Sequence, residues 1–150
     1  VVILARFLDR VTKELLPRLK KGYVANIEEL TAGNTDFRRV LYTGPYSQLV
    51  LMCLQPREEI GAERHFDVDQ FFRFEHGQGV VIINGISYPV GPGDCAVVPA
   101  GAEHNVKNTS GYDVLQLYTI YSPPNHKDNT VHHTKADTVH DRQFDGVTTE

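Results

Sequence analysis

Apolar residues recur at steps of three and four at the start of the chain and at steps of two further on, and the period changes near residue 22. Between residues 3 and 20, Leu4, Leu8, Val11, Leu15 and Leu19 share one helical face, which predicts an amphipathic helix. Pro17 has no amide hydrogen and crowds the turn before it, so a break or kink is expected in the last turns. Gly22 fits the stop. The helix is expected to pack against the rest of the domain or against a partner.

From Tyr23 the apolar runs are short, rich in Val, Ile, Tyr and Phe, and separated by Gly, Pro, Asn and Asp. They are Val40–Thr43, Gln48–Leu54, Gln70–Phe74, Val80–Ile83, Ala96–Pro99 and Val114–Tyr121. Such even spacing predicts an all-β sandwich or barrel. Asn84-Gly85, between two apolar runs, is the strongest hairpin signal, because both residues tolerate the positive φ of a type I′ turn. Gly91-Pro92-Gly93-Asp94 and Asn108-Thr109-Ser110-Gly111 read as further turns. After Ser122-Pro123-Pro124 the chain turns polar. The organisation expected is a helical extension over 1–22, a β domain over 23–122 and an irregular tail over 123–150, following the surface or partly disordered.

Composition narrows the classes. At 150 residues there is room for one domain. The formal net charge of −4 favours neither nucleic acid nor an acidic membrane surface as partner. The basic clusters Arg18, Lys20, Lys21 and Arg38, Arg39 read as solvated surface. Cys53 and Cys95 lie in apolar stretches, so buried free thiols are expected rather than a disulfide. That suggests a reducing compartment. With no apolar run long enough for a span, a cytoplasmic location is expected.

Candidate chemistry lies in two segments separated by one hairpin: Arg57-x5-Glu63-x-His65-x4-Gln70-x6-Gly77 and Gly93-x5-Pro99-x-Gly101-x2-His104-x3-Asn108. Glu63 and His65 are two apart, so on one strand both point to the same face. A tight connection over Phe66–Asp69 returns Gln70 beside His65, and His104 leaves the turn at Pro99–Gly101. Packed face to face, the segments let Glu63, His65, Gln70 and His104 converge, a donor set suited to iron, manganese, nickel or zinc. Asp67 and Asp69 lie close enough to supply a carboxylate or to orient a ligand. Asn108 is expected to brace a turn. Phe71, Phe72 and Phe74 are expected in the core, and Tyr118 and Tyr121 either in packing or at a pocket mouth. His126, His132, His133 and His140 in the tail match no ligand spacing.

These segments resemble the paired motifs of the cupin superfamily, G-x5-H-x-H-x3-4-E-x6-G and G-x5-P-x-G-x2-H-x3-N. The second is matched at every defined position by Gly93, Pro99, Gly101, His104 and Asn108. The first keeps His65 and Gly77, but Arg57 replaces its leading Gly, Glu63 stands at the first His and Gln70 at the Glu. The resemblance covers about residues 40 to 122 and looks like the compact bacterial monocupins, some of them labelled mannose-6-phosphate isomerase-like. It implies a double-stranded β-helix, the cupin jelly-roll barrel, and a divalent metal. The usual three His and one Glu bring one negative charge to the ion. So do Glu63, His65, Gln70 and His104, because the carboxylate has moved while an amide fills its former place.

Three functions are carried forward. The first is a metal-dependent enzyme on a small molecule, a dioxygenase or sugar isomerase, with no general base nominated by the sequence. The second is a cavity that holds a small molecule without turnover. The third is a structural or regulatory homodimer. A homodimer is expected in any case. Fold alone does not choose among them.

Overall fold

Every second residue of the long strands turns inward, and most of the inward set is apolar. On β2 (Gln48–Leu54) it is Gln48, Val50, Met52 and Leu54; on β4 (Asp69–His76) it is Gln70, Phe72 and Phe74. On β9 (Leu115–Ser122) it is Leu115, Leu117, Thr119 and Tyr121, and all of these are buried. The structure is a computed structural model and describes residues 1–15 and 19–150. The remaining strands are β1 (Arg38–Thr43), β3 (Glu63–Arg64), β5 (Gly79–Ile83), β6 (Ile86–Val90), β7 (Cys95–Val98), β8 (Glu103–Asn108) and β10 (Val131–His132). They form two antiparallel sheets in the orders β10-β1-β2-β9-β4-β7 and β3-β8-β5-β6. This is the all-β jelly-roll barrel that the strand spacing and the motif resemblance imply.

The core lies between the sheets, where Phe72 stacks on Phe74 with ring centroids 6.4 Å apart. Fully burying side chains of this size contributes about 1.5–3 kcal/mol each. Register then sorts the interior. Gln48, Tyr121 and Gln70 are paired across β2, β9 and β4, so one row across the larger sheet is polar while the rows beyond it are mainly apolar. That row faces the end of the smaller sheet where Glu63 pairs with His104. The barrel interior is therefore dry at one end and equipped with donors at the other.

Two turns rest on backbone conformation. Asn84 and Gly85 have φ of +47° and +80°, the left-handed pair of a type I′ hairpin joining β5 to β6. Gly77 has φ +92°, and a Cβ there would collide with the carbonyl of Val114. The sequence motif keeps glycine at this position for a steric reason.

α1 (Val2–Leu15) forms as the spacing predicts, but the expected Pro17 break lies outside the described residues. Leu4, Phe7 and Leu8 remain exposed, so this stretch of the helix, among the described residues, is not packed on the barrel. A second helix, α2 (Ile27–Gly33), was not expected. Asn26 caps it by accepting from Glu29 N at 3.2 Å, an N-terminal signature legible in Asn26-Ile27-Glu28-Glu29. Gln116 Nε2 donates to Ala32 O and Asn34 O at its other end.

The tail follows the surface in order. β10 adds an edge strand to β1, a 3-10 turn covers Lys135–His140, and Thr149 exchanges hydrogen bonds with the Thr43 backbone. Cys53 is buried as expected, whereas Cys95 is exposed. That correction follows from its place on β7, an edge strand whose alternate side chains face solvent.

Candidate metal centre

Antiparallel pairing of β3 with β8 sets Glu63 directly opposite His104. The pairing is extended by Ile60 N to Val106 O and by Gly61 N to the Asn105 side chain at 2.9 Å. His65 follows β3, and its carbonyl accepts from Gly101 N at 2.7 Å. The turn of the second motif thus clips the histidine of the first into place. Gln70 enters from the facing sheet.

The donor atoms of Glu63, His65 and His104 all lie within 4.8 Å of one another. Glu63 Oε2 is 3.4 Å from His65 Nε2 and 3.9 Å from His104 Nε2, and Gln70 Oε1 is 3.1 Å from His104 Nε2. Ligands on one ion at bonds of about 2.0–2.2 Å stand roughly 3–3.4 Å apart. These separations are therefore near what a shared ion requires. His65 Nε2 is buried without a hydrogen bond, an arrangement that costs free energy unless something occupies the site.

His104 presents a second fit. Its Nδ1 faces Ala102 O and its Nε2 faces Gln70 Oε1, each at 3.1 Å. The Gln70 amide cannot turn its nitrogen inward without loss, because Nε2 donates to Thr119 Oγ1 at 3.0 Å and that hydroxyl donates to Phe71 O at 2.8 Å. With the Nδ1 hydrogen on Ala102 O, two lone pairs meet at Nε2 and Oε1, and a cation between them removes the conflict. A histidine ligand held through its far nitrogen by a carbonyl is the usual support for a metal. The donor set fits a divalent ion.

Burial opposes the charge on Glu63, but His65 beside it, with Arg38 and His104 farther off, holds the carboxyl below the usual range. Asp67 and Asp69 are exposed. Asp69 Oδ1 instead accepts from Ala100 N at 2.8 Å, so it braces the turn of the second motif, and neither carboxylate belongs to the cluster. Asn108 is the brace expected: its amide donates to Leu54 O, Gln55 O and Asp113 O and accepts from Ser110 N. Phe72 and Phe74 are core, whereas Phe71 and Tyr118 meet half-buried on the other face of their strands.

The cluster opens into a cavity of about 330 Å³, bounded by Arg38, Glu63 and His65 from the barrel and His126, Asp141 and Gln143 from the tail. Sequence reasoning missed this second wall. Arg38 is buried at 4% exposure, not solvated surface as expected. The signal was strand parity, since Arg38 shares its face with Val40 and Arg39 does not. His126 Nδ1 donates to Asp141 at 3.0 Å, and its Nε2 accepts from the Tyr121 hydroxyl at 3.2 Å. Burial keeps His126 below its usual pKa although Asp141 opposes this, and burial pushes the Tyr121 phenol up. Arg38 Nη1 donates to His132 Nδ1 at 3.2 Å, which leaves the His132 hydrogen on Nε2, 3.8 Å from Asp141. His133 and His140 are exposed.

Among the described residues no helix is long and apolar enough to cross a membrane. A family model described as Cupin domain matches residues 50–121. The chain is 46% identical over 125 residues to the Bacillus subtilis protein YrkC, an alignment covering 79% of this chain and 67% of that one. It is 44% identical over 107 residues to protein L612 of Acanthamoeba polyphaga mimivirus, covering 69% and 67%. The crystal structure of BH2720 from Bacillus halodurans superposes with a TM-score of 0.77 at 41% identity, over 80% of this chain and 95% of that one.

Proposed function

Because the chain belongs to the cupin domain family, we propose that it is a metal-dependent cupin acting on a small molecule. Glu63, His65 and His104 hold the ion and the Gln70 amide oxygen completes the set. The observation that carries this reading is the approach of three donor atoms within 4.8 Å of one another, with Glu63 and His65 in the wall of a cavity. Iron, manganese, nickel or zinc suits two imidazoles and one carboxylate. When bound, such an ion supplies Lewis-acid polarisation of a substrate oxygen or, for iron and manganese, redox chemistry.

The chain's own groups favour turnover over mere storage. His126 holds its proton on Nδ1 against Asp141, and its Nε2 accepts from the Tyr121 hydroxyl, which has to turn away before Nε2 can take a substrate proton. The cavity wall therefore carries the acid-base group that the sequence did not nominate. Isomerisation of a sugar carbonyl uses a proton acceptor of this kind. The tail forms one side of the cavity. A homodimer belongs to the same proposal, supported by Ile86, Tyr88 and Val97, which are exposed along β6 and β7.

Metal analysis of protein purified without chelator tests the reading. About one ion per chain is expected, with loss in His104→Ala and a raised melting temperature on adding the missing ion. Protein free of Fe, Mn, Ni and Zn that gains no stability from any of them ends it.

A further inference from the structure

We infer that the substrate is a small carboxylate monoanion and that Arg38 is its anchor, an inference that rests on the metal reading above. A guanidinium is a permanent cation with five donors, and burying one with its donors unmatched is costly even where Glu63 and Asp141 lie within its field. Arg38 is 4% exposed and borders the same cavity as Glu63 and His65. Its side chain makes one hydrogen bond among the described residues, Nη1 to the neutral acceptor His132 Nδ1, and its buried Nε finds no partner there. Among the described residues no carboxylate lies within 4.0 Å of it, although Arg39 next to it is paired with Asp36 at 2.6 Å.

Charge balance points the same way. Glu63 and Asp141 each bring one negative charge to the cavity, and the hydrogen bond from neutral His126 leaves the charge of Asp141 in place. A divalent ion and Arg38 together bring three positive charges, so the loaded cavity keeps one positive charge in excess. A monoanion neutralises it. The guanidinium edge takes a carboxylate by two parallel hydrogen bonds, and a carboxylate carries the single charge the cavity calls for. A volume of about 330 Å³ equals the share of roughly ten waters, which suits an acid of a few carbons and not an oligomer.

The test is calorimetric titration of acetate, lactate and pyruvate, with acetamide, lactamide and pyruvamide as neutral partners, into cobalt-loaded protein. At least one acid is expected to bind more than about tenfold tighter than its amide. Arg38→Lys should lose that preference by about tenfold while keeping its cobalt by metal analysis and its fold by circular dichroism. No acid exceeding its amide, inorganic phosphate outcompeting all three, or Arg38→Lys binding as wild type overturns the inference. Should Arg38→Lys not fold, the acid-amide comparison on wild type decides alone. Failure to take up cobalt defeats the metal reading instead, and the same titrations on metal-free protein then decide the carboxylate site separately.

Discussion

Glu63→Gln keeps the shape of the side chain and removes its charge, so it isolates the electrostatic part of metal binding. Glu63 Oε2 stands 3.4 Å from one imidazole nitrogen and 3.9 Å from the other, so an ion that touches both also touches it. The variant leaves that ion two imidazoles and amides, all neutral. Losing a group that merely orients a ligand weakens binding about 10–100-fold, so losing the charged ligand itself is set at about 100-fold. With metal at about 100 times the wild-type Kd, binding adds about 2.7 kcal/mol. For a chain of this length that raises Tm by about 10 °C. At the same concentration the variant is half-saturated and gains about 0.4 kcal/mol, or roughly 1–2 °C. Thermal scans of both proteins with and without each ion measure the difference. A variant that keeps the full wild-type shift refutes the placement of Glu63 at the ion.

Asn108→Ala removes the brace on the carbonyls of Leu54, Gln55 and Asp113, and the melting temperature should fall by about 4–16 °C, for a loss of about 2–4 kcal/mol; a fall under about 2 °C contradicts the bracing role. Burial keeps the imidazoles of His126 and His132 below their ordinary range in the fold. The unfolded chain therefore takes up protons there first, and stability should decline as pH drops below about 6.5. Asp36 and Asp141, held low by His133 and Arg39 and by His126 against the effect of burial, add a second decline below about pH 4. Urea denaturation from pH 8 to 3.5 should trace both stages, and a profile flat from pH 8 to 5 counts against the first. Burial, with Glu58 and Asp36 adding, pushes the Cys53 thiol up to about 11, while Cys95 is exposed. A thiol reagent should therefore label one cysteine per native chain and two per denatured chain.

Much of the barrel was legible because strand alternation is local. Gln48–Leu54 and the Asn84-Gly85 turn need only their own residues and the pleat to declare themselves. The donors Glu63, His65 and His104 were legible for a related reason: their residue types and spacings around turns constrain where the side chains point. α2 was passed over because seven residues carry little periodicity, although its Asn26 cap was there to see.

The sequence by itself determined where most of the strands and turns fall along the chain and a short set of donors on two neighbouring segments. Tertiary structure alone decided what surrounds them. It fixed the orientation of the Gln70 amide through Thr119, turned Asp69 outward to a backbone amide, and buried Arg38. It also brought His126 and Asp141 from the tail to face a strand that ends some eighty residues earlier. Such partners share no local pattern, because burial and charge pairing depend on which surfaces meet after the sheets close, and a polar tail reads the same whether it floats in water or walls a cavity.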